Sequence, residues 1–198
     1  MKNGVILEEV QKIFDFMVEI EKLKDVHRKS RPVGLERYEN SAEHSWHVCL
    51  CALMLKDYSN EEIDIDRVIK MLLIHDLGEI DTGDTIIYKS ETPETKEAEA
   101  EAVKRIFGIL PLKKQEEHLA LWYEFEAGET ADAKYAKAID RIPPIFHNLH
   151  GNGHSWKAHN ISKEKVFAIN SRIKEGSEII WKAIELKLHN AISEGILK

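Results

Sequence analysis

The sequence predicts an all-α fold organised as a single domain, and three observations lead there. Apolar residues recur at three- and four-residue intervals through most of the chain, the spacing of one face of a helix. No alternating apolar and polar run of strand length occurs, and there is no internal repeat or low-complexity segment. A length of 198 residues with 43% hydrophobic and 32% charged content suits one domain of ordinary size with its own core.

Taken in order, Val5 to Lys24 carries Ile6, Leu7, Val10, Ile13, Phe14, Met17, Val18, Ile20 and Leu23 and reads as an amphipathic helix. The stretch Asp25 to Gly34 breaks it with Pro32 and Gly34 and gathers His27, Arg28, Lys29 and Arg31 into a basic loop. Such a loop is either a solvated connection or an anion clamp. Asn40-Ser41-Ala42-Glu43 has the form of a capping box, so a helix is expected from Ser41 through Leu55. Ile63-Asp64-Ile65-Asp66 signals the next start, and the apolar run Val68 to Ile74 makes a buried central helix that ends at His75-Asp76. Residues 85–94 mix Thr, Ser, Pro and charge, a loop able to cover a site. Helices are expected over Thr95–Phe107, Leu112–Ala127 and Ala131–His150, and Gly151 to Trp156 reads as a turn-rich loop. One long closing helix is expected from Ser162 to about Glu194, its apolar residues, Trp181 among them, serving either as core or as a homodimer face. The domain thus covers 1–198, with a core at about 13–150 and the closing helix at about 162–194.

A net charge of -7 and a pI near 5.8 argue against nucleic acid as a partner, because a protein that neutralises many phosphates needs a basic face. A small anionic substrate is compatible with that charge, since a local basic cluster and a metal can outweigh a distant negative average. Cys49 and Cys51, two apart in an apolar stretch, read as reduced thiols used for packing in a cytoplasmic protein. The first ten residues have acids where a signal peptide has its apolar core, and no run approaches the roughly 18 apolar residues of a membrane span.

The chemistry concentrates where the central helix ends. His75, Asp76, Glu79, Asp81 and Asp84 fall within ten positions just as the apolar pattern stops. Adjacent His and Asp project about 100° apart on a helix, so both reach one ion only if the helix faces a cavity and other ligands arrive from neighbouring helices. His44, in the first turn of its helix, and Asp140, an acid in the otherwise apolar Ala136-Lys137-Ala138-Ile139-Asp140, are candidates to supply them. A buried carboxylate at Asp140 is costly unless a cation compensates it. The plainer alternative, a hydrogen-bonded core histidine and helix-capping acids, stays open on spacing alone.

The order His, then His-Asp, then a distant Asp resembles the HD superfamily of metal-dependent phosphohydrolases. Glu39-Asn40-Ser41-Ala42-Glu43-His44-Ser45, the run His75-Asp76-Leu77-Gly78-Glu79-Ile80-Asp81-Thr82-Gly83-Asp84 and Lys137-Ala138-Ile139-Asp140 look closest to the branch containing the bacterial 5'-deoxynucleotidases. The resemblance covers about Ile13 to Asp140 and is weaker beyond it. It implies an HD-type helical bundle in which His44, His75, Asp76 and Asp140 hold one divalent metal ion, with Glu79 and Asp84 as catalytic acids and Arg28 as the phosphate-binding residue. Two imidazoles and two carboxylates suit Mn, Co, Fe, Ni or Zn better than Mg. Two-metal members carry extra histidines between the His-Asp pair and the last Asp; that interval here holds only His118, which favours a single ion. The implied substrate is a small phosphorylated molecule, a nucleoside 5'-monophosphate. The alternatives are another phosphoester or phosphoanhydride, or a non-catalytic metal- and nucleotide-binding protein. Lys29 stands where the deoxynucleotidases have Trp, which loosens the expected preference for deoxyribose. His147, His150 and His154 also invite a metal reading, but no acid is near them in sequence, so a pocket or surface loop is expected there.

Overall fold

The apolar periods become twelve helices in the computed structural model, which describes residues 2–89 and 92–198, and no strand occurs among the described residues. They are α1 (Lys2–Ile20), α2 (Ser41–Leu55), α3 (Ile65–Ile74), α4 (Glu79–Thr82), α5 (Pro93–Phe107), α6 (Leu112–Ala127), α7 (Ala131–Asp140), α8 (Ile142–His150), α9 (His154–Ala158), α10 (Lys163–Asn170), α11 (Ile173–Gly176) and α12 (Glu178–Ser193). The loop expected over 85–94 includes residues 90 and 91, which lie outside the described residues.

Local chemistry sets the starts. The Asn40 side chain accepts from Glu43 N–H at 2.9 Å while Asn40 N–H donates to Glu43 Oε1 at 2.8 Å, so α2 begins at Ser41 as the capping box requires. Asp64 Oδ1 accepts from the amides of Asp66 and Arg67 and starts α3. Helix α3 is the centre of the packing: Val68, Met71 and Leu72 are fully buried, and α2, α6 and α7 surround it. Burying each such side chain contributes about 1.5–3 kcal/mol, which is what holds the His75 end of α3 in place. Tyr135 ties α7 to α2 through its hydroxyl, which donates to Ala52 O at 3.0 Å.

Three expectations needed correction. The helix expected over Ala131–His150 is two helices, broken at Arg141, because Pro143 and Pro144 lack the amide protons that would continue the ladder. The single closing helix is three, α10 to α12. Gly176 ends α11 where it presses on α7, and a Cβ there would lie 2.5 Å from Lys134 O and 2.8 Å from Ala138 Cβ. Ser177 then caps α12 by accepting from Ile180 N–H at 3.2 Å. The loop expected over Gly151 to Trp156 stops short, because His154 already starts the short α9. Of the two readings open for the closing segment, core or homodimer face, Ile180, Trp181, Ile184 and Leu188 are core of the chain itself, whereas α1 leaves Val5, Ile6, Leu7, Phe14, Met17 and Val18 exposed. Cys49 is buried and Cys51 half-buried, both as free thiols, and no helix among the described residues is long and apolar enough to cross a membrane.

Candidate metal centre and substrate cavity

His75 follows the last residue of α3, where Trp122 of α6 donates its Nε1–H to His75 O at 3.1 Å and pins the helix end. The ring donates Nδ1–H to Leu72 O at 2.8 Å, so Nε2 is the nitrogen left for a ligand. That Nε2 is buried without a hydrogen-bond partner, 3.1 Å from Asp76 Oδ1 and 3.4 Å from Asp140 Oδ1. From α2, His44 Nε2 reaches Asp140 Oδ1 at 2.8 Å and lies 4.0 Å from Asp76 Oδ2. One ligand atom from each of His44, His75 and Asp140 falls within 4.8 Å of the others. Asp76 faces this group with one oxygen and gives the other to Arg28 Nη1 at 2.6 Å. Imidazole nitrogens turned toward carboxylates from three helices are the donor set of a divalent cation, and the orphaned His75 Nε2 is the atom such an ion would satisfy.

Glu79 opens α4, and the chain brings Asp84 back to the same face after Gly83, whose φ of 73° lies in the left-handed region that favours glycine. Ser41 Oγ–H, at the first turn of α2, donates to Glu79 Oε2 at 2.6 Å. Arg28 Nη1 is 3.9 Å from Glu79 Oε1 and 3.7 Å from Asp84 Oδ1. The basic loop is held there by a two-stranded crossing: Arg28 N–H donates to Glu39 O at 2.8 Å, Glu39 N–H to Ser30 O at 3.0 Å and Ser41 N–H to Val26 O at 3.0 Å.

The electrostatics follow from crowding. Burial, then the Asp76 charge, push Glu79 well above the usual carboxylate range; burial also raises Asp84, with Arg28 opposing it. Asp140 goes the other way: burial raises it, but the His44 hydrogen bond and the nearby His75 ring outweigh that and hold it well below the usual range. For His75 burial favours the neutral ring, yet the charges of Asp76 and Asp140 raise it to about 9. Carboxyl groups crowded in this way would be stabilised together by a bound cation.

All eight residues singled out in the sequence line or border this one region: His44, His75, Asp76, Asp140, Glu79, Asp84 and Arg28 by direct contact, and Lys29 as an exposed residue on the wall of the adjoining cavity. Sequence reasoning gave no role to Glu39, Ser41 and Arg141. Glu39 is 2% exposed, with Oε2 3.5 Å from both His44 Nδ1 and Arg28 Nε. It is also the acid that His147 lacked in sequence: His147 Nε2 lies 3.8 Å from Glu39 Oε1, its Nδ1 shares a 3.1 Å hydrogen bond with Ser30 Oγ, and one ligand atom each of Glu39, His47 and His147 falls within 4.8 Å. The other two histidines go elsewhere, His150 onto Phe146 and His154 toward Tyr38. A chain crossing at His27 and Asn40 brings these groups together, and such short crossings leave no periodic signal.

The cavity continues past Asp140 along Tyr88, Arg141, Asn148 and Asn170. Asn148 is spent on structure, accepting from the amides of Ser155 and Trp156. Burial pushes the Arg141 guanidinium down, with Asp140 opposing.

Residues 20–181 match the model of a family described as HD domain. The 5'-deoxynucleotidase HDDC2 of Bos taurus is 31% identical over 114 residues, 57% of this chain and 54% of that protein, and the Homo sapiens protein of the same name is 30% identical over the same lengths. The chain spans about half the length of these relatives. A crystal structure from Magnetospirillum magnetotacticum MS-1, described as a predicted metal-dependent phosphohydrolase, is 40% identical and superposes with a TM-score of 0.90 over 96% of this chain and 98% of its own. A conserved hypothetical protein from Pyrococcus furiosus superposes with a TM-score of 0.59 at 25% identity, over 87% of this chain and 98% of that one.

Proposed function

This chain belongs to the HD domain family, and from that premise we propose that it is a cytoplasmic, metal-dependent phosphomonohydrolase that releases phosphate from deoxynucleoside or nucleoside 5'-monophosphates. The observation that carries the proposal is the convergence of His44, His75 and Asp140, with Asp76 alongside, on the unpartnered His75 Nε2. These four residues would hold one Mn, Co, Fe, Ni or Zn ion. His118 offers no second centre between them, since its Nδ1 bonds Lys114 O at 2.7 Å and its ring packs on Phe107. Such an ion, when bound, polarises a phosphoryl oxygen and makes water a better nucleophile.

The protein's own groups supply the rest. Glu79, oriented by Ser41, takes the proton of the attacking water, and Asp84 across the Arg28 guanidinium assists. Arg28 and Lys29 receive the phosphate, with Arg28 moving from its ion pair with Asp76 to the incoming oxyanion. Glu39 positions two of these groups at once, through His44 Nδ1 and Arg28 Nε. The homodimer expectation transfers from Trp181 to the exposed apolar flank of α1, and sedimentation at several protein concentrations tests it.

The test of the proposed activity is phosphate release from a panel of ribo- and deoxyribonucleoside 5'-monophosphates with each of the candidate metals added in turn. Metal-dependent turnover of several of them is expected. Metal binding with no turnover of any phosphate ester would move the chain to the non-catalytic reading.

A further inference from the structure

Most cations around the cavity are already committed. Arg28 pairs with Asp76, Lys137 pairs with Glu126 at 3.7 Å and lies over the Phe125 ring, and Lys29 is exposed to water. Arg141 lines the same cavity, and its Nη1, unlike that of Arg28, is buried with no hydrogen-bond partner. Leaving a guanidinium N–H dry and unpaired is costly, and structures tolerate it where a ligand completes the site.

Its place in the fold says which ligand. Pro143 and Pro144 break the chain directly after α7, so Arg141 is the joint between α7 and α8 and the immediate neighbour of Asp140. Neighbouring Cα atoms are about 3.8 Å apart, so an oxyanion drawn to an ion at Asp140 lies within reach of a side chain as long as that of Arg141. A second donor shares the wall. The Tyr88 hydroxyl oxygen accepts from Trp156 Nε1–H at 3.2 Å and from Asn170 Nδ2–H at 3.0 Å, which leaves its own proton to be given elsewhere. A planar guanidinium and a hydroxyl donor beside a cation site match the oxygens of a phosphoryl group.

We infer that Arg141, with Tyr88 beside it, forms a second oxyanion-binding wall that grips the phosphoryl group of the substrate opposite Arg28. The inference rests on the phosphohydrolase reading for the identity of the substrate, but not for the binding of phosphate itself. It assigns to Arg141 direct contact with substrate and no part in folding.

Calorimetric titration of the metal-loaded chain with inorganic phosphate tests it, on the unsubstituted protein and on Arg141→Gln and Arg141→Lys, with metal content and melting temperature measured on each. Arg141→Gln is expected to weaken phosphate binding by about tenfold or more, as for a lost hydrogen bond to a charged group, with Arg141→Lys in between. Metal content should be unchanged and the melting temperature equal or higher, because the variant removes a buried guanidinium nitrogen that has no hydrogen-bond partner. Phosphate affinity within twofold of the unsubstituted protein would overturn the inference. So would a lower melting temperature in both variants with unchanged phosphate affinity, which marks a structural arginine, or loss of affinity for a nucleotide but not for phosphate, which places Arg141 on the nucleoside. Failure to hydrolyse any nucleotide leaves this titration valid, so the two readings fail separately.

Discussion

Replacing Glu79 by Gln isolates the acid-base step, because Gln keeps the volume and can still accept from Ser41 Oγ–H but cannot take a proton. The carboxylate is 7% exposed, held by one strong hydrogen bond of 2.6 Å from Ser41, and its other oxygen is 3.9 Å from Arg28, a loose contact. Losing a positioned acid or base costs roughly 10²- to 10⁴-fold in rate. With a single short tether the expectation sits near the lower end, about a hundredfold in kcat, or about 2.7 kcal/mol of barrier. Ser41→Ala leaves the carboxylate in place but unanchored, so a smaller loss of about tenfold is expected from one missing hydrogen bond to a charged group. Phosphate release at saturating nucleoside monophosphate, with metal content measured on the same samples, separates the outcomes. Both variants should keep their metal. Near-normal turnover in metal-loaded Glu79→Gln would refute the reasoning and leave Glu79 as a helix-end residue.

Three further outcomes follow from other parts of the structure. Gly176→Ala should destabilise by about 2 kcal/mol or more in urea unfolding with an unchanged m-value, since its Cβ meets Lys134 O at 2.5 Å and Tyr135 Cα at 2.8 Å; a neutral or stabilising result would contradict the close packing of α11 on α7. Lys29 is exposed on the cavity wall, so comparable kcat/KM for dAMP and AMP is expected, with Lys29→Trp shifting the ratio toward dAMP; a strong deoxy preference in the unsubstituted protein would remove Lys29 from the specificity argument. Glu19 is held below its ordinary value of 4.5 by hydrogen bonds from Lys22 and Arg105. Its stabilising contribution is therefore full above that value and lost as pH falls through the lowered one, so the stability gap between the parent and Glu19→Gln should close in acid, and a gap that widens there would contradict the pairing.

What was legible in the sequence was whatever local chemistry encodes. The capping box at Asn40 and the Asp64 cap each gave a helix start, and the His75-Asp76 pair stood out because acids accumulate where an apolar period stops. Breaks inside apolar periods were harder to see. Pro143-Pro144 splits a helix, but Pro is tolerated in a first turn, so the pair marks a new start as readily as an end. Gly176 ends a helix through contact with α7, a neighbour more than thirty residues away in sequence. Glu39 and Arg141 escaped notice for the same reason: one acquires its partners through a chain crossing, and the other is distinguished by the partner it lacks. The apolar flank of α1 was read correctly as a helix face, but periodicity carries no information on what covers that face.

The central claim is that His44, His75, Asp76 and Asp140 form one metal centre. Elemental analysis of the purified chain, alongside His75→Ala and Asp140→Ala, tests it most directly, since a site of this kind loses its ion when one of its few ligands is removed. The account predicts about one divalent ion per chain in the unsubstituted protein and almost none in either variant, with both variants folded by circular dichroism. Two tightly held ions per chain, or an ion retained in full by His75→Ala, would contradict it.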